Sequence, residues 1–280
     1  MDDFRWRGHR IHFDVHGKGE RTLILIHGLL MNGRMYDGLA PAIASRGYRV
    51  ITVDLLGHGR SARPNDVRTY SMTIYADLVA DLIEYLELDR PVVGGTSLGA
   101  NVTLELAYRH PDSARAIVIE MPVLEHALTA VGLIFLPVMV TLQLGAPVLR
   151  LVAAATGQIP RSNYLVDIAL DWLRQEPEPS LAVLRGLMFG EIGPTRRERR
   201  EIAHPALVIG HHNDPLHPFS DSGMLVDEMP GARLVEATSI LEWRLSPARL
   251  NDELVAFLDE VYTEPGGEPD ELGRRASQRA

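Results

Sequence analysis

The sequence predicts an α/β protein: a mostly parallel central sheet with helices on both faces and a helical lid inserted between the two halves of the sheet. Three observations carry that expectation. Short apolar runs alternate with helix-patterned segments up to residue 121 and again over 201–262. Between them, 122–200 shows only helix-like segments separated by Gly and Pro. Finally, Gly95-Thr96-Ser97-Leu98-Gly99 forms a G-x-S-x-G where a strand-like run passes directly into a helix-forming stretch. Strands this short and this apolar, alternating with helices, belong to a parallel sheet covered on both faces.

The elements follow in order. Arg10–Val15 reads as a first strand and Thr22–Ile26 (TLILI) as a buried one. Tyr36–Arg46 is helical and Tyr48–Val53 is a strand. Tyr75–Leu86 puts Leu78, Leu82, Ile83 and Leu86 at helical spacing. Pro91–Gly94 is a strand, Leu98–Arg109 a helix and Ala114–Ile119 a strand. After the insertion come Ala206–Ile209 (strand), Ser220–Glu228 (helix), Arg233–Glu236 (strand) and Pro247–Tyr262 (helix). The insertion is expected to cover the C-terminal edge of the strands, where such sheets take ligands. Within it, Leu128–Leu144 is nearly continuous apolar sequence. Gly132 and Pro137 interrupt it, which favours two short buried or lid helices over a membrane span. Arg196–Glu201 (RRERRE) reads as a solvated helix face. The Pro, Gly and charge content of 263–280 predicts a disordered tail.

Composition narrows the function. The formal charge of −9 disfavours nucleic acid or an anionic membrane as partner. The chain has no cysteine, which excludes disulfides, thiolate metal sites and a cysteine nucleophile and fits a cytoplasmic protein. The acidic start, MDDFRWRGHR, has no apolar run of the secretory kind. His211, His212 and Asp214 cluster in sequence, but neighbours at a strand end point apart, so no metal set is expected. No nucleotide-type phosphate loop occurs either, and no cofactor is expected.

The chemistry centres on Ser97. A strand reversing into a helix within one residue brings backbone against backbone, which leaves no room for side chains at Gly95 and Gly99. Ser97 then projects from the top of the sheet, and the Leu98 amide, opening the helix, points where an oxyanion could sit. Together with His27-Gly28, Asp54-Leu-Leu-Gly-His58-Gly-Arg-Ser61 and Asp214, each following a strand, this order resembles the α/β-hydrolase fold family over roughly residues 10–262. The resemblance implies that Ser97 is a nucleophile and that the Leu29 amide completes an oxyanion hole with that of Leu98. It also implies that Asp214 orients a histidine, with Glu120 as an alternative position for the acid. His27 and His58 are then read as loop-shaping residues.

One part of the family pattern is missing. A histidine is expected between Glu236 and Pro247, and Ala237–Ser246 contains none; Glu242 lies nearest the vacant position. A serine without a base is a poor nucleophile. His217, three residues beyond Asp214 and followed by Pro218, is the simplest replacement, with a loop-lining role as the plain alternative. Two functions remain open. One is a serine hydrolase acting on an ester-like bond of a small hydrophobic substrate, roofed by apolar lid residues such as Phe135 and Met139. The other is a non-hydrolytic protein, whether lyase, isomerase or ligand binder, that keeps the pocket without acyl-enzyme chemistry.

Overall fold

The computed structural model describes residues 2–160 and 164–263. Eight strands form one sheet: β1 (Asp2–Trp6), β2 (His9–His16), β3 (Thr22–Ile26), β4 (Arg49–Asp54), β5 (Val92–Thr96), β6 (Ala116–Glu120), β7 (Ala206–His211) and β8 (Ala232–Ala237). Their order is β1-β2-β4-β3-β5-β6-β7-β8. Every pairing from β4 to β8 is parallel, while β1–β2 and β2–β4 are antiparallel. β5, the strand that leads into Ser97, therefore sits in the interior of the sheet, between β3 and β6. All five of its residues are buried, as expected for a strand covered on both faces.

The helices of the first half are α1 (Leu39–Ala44), α2 (Met72–Tyr85) and α3 (Leu98–Arg109). Those of the insertion are α4 (Leu128–Leu144), α5 (Ala146–Thr156), α6 (Tyr164–Leu173), α7 (Pro177–Met188) and α8 (Arg196–Arg199). The last three are α9 (Phe219–Glu228), α10 (Glu242–Leu245) and α11 (Ala248–Thr263). One apolar cluster gathers Leu78, Leu82, Val102 and Leu106 from α2 and α3 on one side of the sheet. Another gathers Leu39, Ile43, Leu254 and Phe257 from α1 and α11 on the other. Among the described residues, only helices and irregular segments separate β6 from β7.

Four expectations need correction. The hairpin strand β1 was not foreseen, because DDFRW offers only Phe4 and Trp6 as an apolar face. Arg7 and Gly8, both at positive φ, close it onto β2 as a two-residue turn. Leu128–Leu144 is one helix, not two, and runs through Pro137. The carbonyl that loses its partner to the proline belongs to Leu133, which is 73% exposed, so solvent can take the donor's place. Nor is that helix mostly buried; among its residues only Val131 and Met139 are. The Arg196–Glu201 run is not wholly solvated: Arg199 is buried, with Nε 2.6 Å from Glu228 Oε2 and Nη2 2.9 Å from Glu125 Oε1. The expected tail lies outside the described residues, apart from its first residue, Thr263, which ends α11. No single described helix is long and apolar enough to cross a membrane, and α4 and α5 meet at a bend of 91°.

Two buried side chains fix the insertion to the core. Asn101 of α3 donates from Nδ2 to the carbonyls of Val123 (2.7 Å) and Ile192 (2.6 Å) and accepts from the Val123 amide, so it ties together the entry and the exit of the insertion. Asp221 of α9 accepts from the amides of Leu124, His126 and Ala127 and pairs with His126 Nδ1 at 2.8 Å.

Candidate active site

Ser97 follows the end of β5 with φ 55° and ψ −112°, a backbone conformation that side-chain-bearing residues rarely adopt. The surroundings hold it there. Its amide donates to the Glu120 carbonyl of β6 at 2.9 Å, and its own carbonyl accepts from the Asn101 amide of α3. A Cβ on Gly95 would run into the backbone of Gly99, and one on Gly99 into the Ile26 carbonyl of β3. The elbow therefore requires glycine at both positions, for the reason its spacing suggested.

His217 stands over the serine. Its Nε2 lies 2.9 Å from Ser97 Oγ, and its Nδ1 lies 2.8 Å from Asp214 Oδ2. The other Asp214 oxygen accepts from the amides of Leu216 (2.8 Å) and His217 (3.0 Å), so one carboxylate shapes the turn and holds the ring. Burial pushes the Asp214 carboxyl up, but the hydrogen bond and charge of His217, with those two amides, outweigh it and leave the group below its ordinary range. The charged acceptor is thus favoured at Nδ1. That geometry fits the tautomer with the proton on Nδ1 and a free lone pair on Nε2 facing the serine hydroxyl.

The amide of Leu98 opens α3 and, as a first-turn donor, has no partner within its helix. Gly28 packs against Ser97, its position for a Cβ lying 3.8 Å from that of the serine, which sets the Leu29 turn beside Ser97. A cavity of about 60 Å³ lies here, with Leu29, Ser97, Leu98, Val131, Phe135 and Leu216 among its walls.

The other histidines of the motif are structural in placement. His27 places Nδ1 2.8 Å from the Gly28 carbonyl and accepts at Nε2 from the Leu55 amide, so both ring nitrogens are occupied. Complete burial lowers its pKa. Burial likewise holds His58 well below the usual imidazole range, with its Nδ1 3.1 Å from the Leu56 carbonyl.

Three candidates are not brought to the serine. Glu242 is bound by Thr238 and by Arg249 (2.8 Å), and the Arg249 hydrogen bond above all lowers its carboxyl to about 2, so it stays charged and turned away. Glu120 ends β6 beneath the elbow, but its side chain accepts from Thr96 Oγ1 and from Arg244 Nη2 (2.7 Å) and faces His211 Nε2 at 3.2 Å. It makes no contact with His217, so the alternative acid position is filled by an ion-pair cluster. Met139 packs with Leu30 and Leu184 and is not among the residues lining the serine cavity, whereas Phe135 is. Other apolar residues of α4, namely Leu133, Ile134, Leu136 and Val140, are exposed.

Sequence reasoning missed Arg244. It lies in the loop from which the expected histidine is absent and reaches back to Glu120 and Thr96. The one available signal was a lone cation in that loop opposite a strand-ending glutamate. No group of three or more candidate metal ligands occurs among the described residues.

The alpha/beta hydrolase fold family model matches residues 21–142. An uncharacterised protein of Mycobacterium tuberculosis is 29% identical over 97% of this chain and 84% of its own length. The pimeloyl-[acyl-carrier protein] methyl ester esterase of Nitrosomonas europaea is 25% identical over 80% of this chain and 89% of its own. Among solved structures, the enol-lactonase of Burkholderia xenovorans superposes with a TM-score of 0.75 at 21% identity, covering 92% of this chain and 99% of the lactonase. An esterase of Exiguobacterium antarcticum gives 0.74 at 17%, covering 92% and 98%. The fold is that of the α/β hydrolases.

Proposed function

We propose that this α/β-hydrolase-fold chain is a serine hydrolase that opens an ester-like bond of a small hydrophobic substrate through an acyl-enzyme on Ser97. The observation that carries the reading is the line Asp214 Oδ2–His217 Nδ1–His217 Nε2–Ser97 Oγ, with both contacts within hydrogen-bond reach. His217 Nε2 takes the hydroxyl proton as Ser97 Oγ bonds to the substrate carbonyl carbon. The Leu29 and Leu98 amides receive the charge on the carbonyl oxygen, and the imidazolium then returns the proton to the leaving alkoxide. Water repeats the sequence to release the acid. Donors of this kind are each worth about 3–4 kcal/mol of transition-state stabilisation.

The non-hydrolytic alternative drew its force from a serine without a base. An imidazole at 2.9 Å removes that argument. The apolar cavity walls favour an acyl or alkyl group over a sugar or peptide, and the methyl ester esterase and the enol-lactonase that the chain resembles are named for ester bonds of the same general kind. The decisive experiment is labelling with a fluorophosphonate and turnover of p-nitrophenyl butyrate. Both are expected for the wild type and neither for Ser97→Ala. Turnover surviving in Ser97→Ala, or a wild type that takes no label, would overturn the assignment.

A further inference from the structure

A second, larger cavity of about 180 Å³ lies between the insertion helices and Leu30; it is partly open to solvent, with Trp172 and Leu173 exposed in its wall. Leu30, Val138, Leu142, Leu149, Trp172 and Leu173 supply its apolar walls. It is separate from the serine cavity, with no lining residue in common, but α4 contributes to both. Val131 and Phe135 roof the first cavity and Val138 and Leu142 roof the second, spacings of four, three and four residues that trace a single helical stripe. Away from α4 the two cavities are lined by consecutive residues, Leu29 in the first and Leu30 in the second.

The polar groups at the second cavity are already engaged. Ser180 Oγ donates to Gln175 Oε1 at 3.1 Å, and Gln175 Nε2 donates to the Leu30 carbonyl. Thr141 Oγ1 donates to the Pro137 carbonyl of its own helix at 2.9 Å. No charged side chain is found among the described residues that line the space. A ligand there meets hydrocarbon and self-satisfied polar atoms, and nothing that would repay bringing in a charged or hydrogen-bonding group.

We propose that this second cavity is a binding site for the distal end of an aliphatic acyl chain whose carbonyl lies at Ser97. The proposal extends the hydrolase reading by naming its substrate class: esters of medium-chain fatty acids. From Phe135 to Leu142 the helix rises about 10 Å, so a chain of roughly ten carbons reaches the second space where a butyryl chain ends in the first. Gln175 also gives the site a link to the chemistry, since it holds the carbonyl of the residue next to Leu29.

Trp172, in the cavity wall, is the built-in probe. In Ser97→Ala, which cannot turn a substrate over, decanoate is expected to change the tryptophan fluorescence saturably, butyrate to leave it unchanged at equal concentration, and Trp172→Phe to abolish the response. In the active enzyme, kcat/KM for p-nitrophenyl esters is expected to rise by up to about fourfold per methylene from butyryl to decanoyl. Leu149→Phe, which puts a larger side chain into the cavity, should lower the decanoyl-to-butyryl ratio at least about tenfold, since several methylenes lose their burial. A decanoate response that persists in Trp172→Phe, or that is absent from Ser97→Ala, overturns the proposal. So does a Leu149→Phe ratio equal to that of the wild type, or a cavity closed by a second copy of the chain, seen as a dimer whose dissociation is needed for the fluorescence change. An enzyme inactive on every ester that still binds decanoate through Trp172 would count against the hydrolase reading and leave the chain site standing.

Discussion

Ser97 and His217 are 120 residues apart in the chain and 2.9 Å apart in space, and the second figure is what proton transfer depends on. A base needs its lone pair at the nucleophile and a carboxylate behind its other nitrogen, whichever loop delivers it. The loop after β7 delivers both groups at once: Asp214 and His217 sit on one tight turn that the aspartate itself braces through two amides. The strained serine and its glycines could be read from G-x-S-x-G, because hard-sphere contact with neighbouring backbone permits nothing else there. The base could be named only as a candidate, since three residues of spacing do not fix the side of a turn to which an imidazole points. The arrangement makes a sharp demand on mutants. His217→Ala is expected to lower kcat about 10²–10⁴-fold with the fold intact, as loss of a general base does. Asp214→Asn should cost a comparable factor by favouring the wrong ring tautomer. Steady-state kinetics beside circular dichroism checks both; a loss under about threefold in His217→Ala would assign the histidine to the loop wall, given the usual worth of a general base.

At the scale of elements, the strands were the most legible part, because TLILI, RVITVD and ALVIGH are built round apolar runs (23–26, Val50 with Ile51, and 206–209) that are buried throughout. The lid was less so. Its helices are apolar on outward as well as inward faces, so periodicity did not tell roof from surface, and Leu133 and Phe135 could not be separated by type. Nor does sequence spacing reveal what holds the lid down, since Asn101 and Asp221 act on partners far along the chain. Asn101→Ala should strip partners from the buried ends of the insertion at Val123 and Ile192, costing about 1–3 kcal/mol by urea denaturation. Because those ends anchor the insertion, limited proteolysis should cut faster within 122–192 than elsewhere. Equal cleavage in the core and the insertion would mean that the lid is held by its apolar packing alone.

Across the whole molecule, Glu120 joins elements that the chain order keeps apart. Its carboxylate meets Thr96 of β5, His211 of β7 and Arg244 from the loop after β8, while its carbonyl receives the Ser97 amide. The loop that lacks the expected histidine is thereby clamped under the elbow by an arginine. Burial pushes the Glu120 carboxyl up, but Arg244 foremost, then His211 and Thr96, bring it down to about 2. Burial lowers His211 while Glu120 raises it more, for a net rise. The two shifts give opposite pH slopes. Between an ordinary carboxyl value of about 4.3 and that depressed value, the unfolded chain binds the proton more readily, so the stability due to Glu120 is complete above that window and lost as pH falls through it. The contribution of His211 is complete below about 6.5 and lost as pH rises through its elevated folded value. The cluster therefore stabilises the fold most between those two limits. Arg244→Met leaves Glu120 with His211 and Thr96 but without its arginine, and breaking such a buried pair is expected to cost about 3–5 kcal/mol. It should also raise the Glu120 carboxyl, so that urea midpoints measured against pH begin their acid decline at a higher pH than in the wild type. Parallel declines in the two proteins would show that Arg244 does not set the ionisation of Glu120, and that the clamp owes its hold to packing around Trp243 and α11 instead.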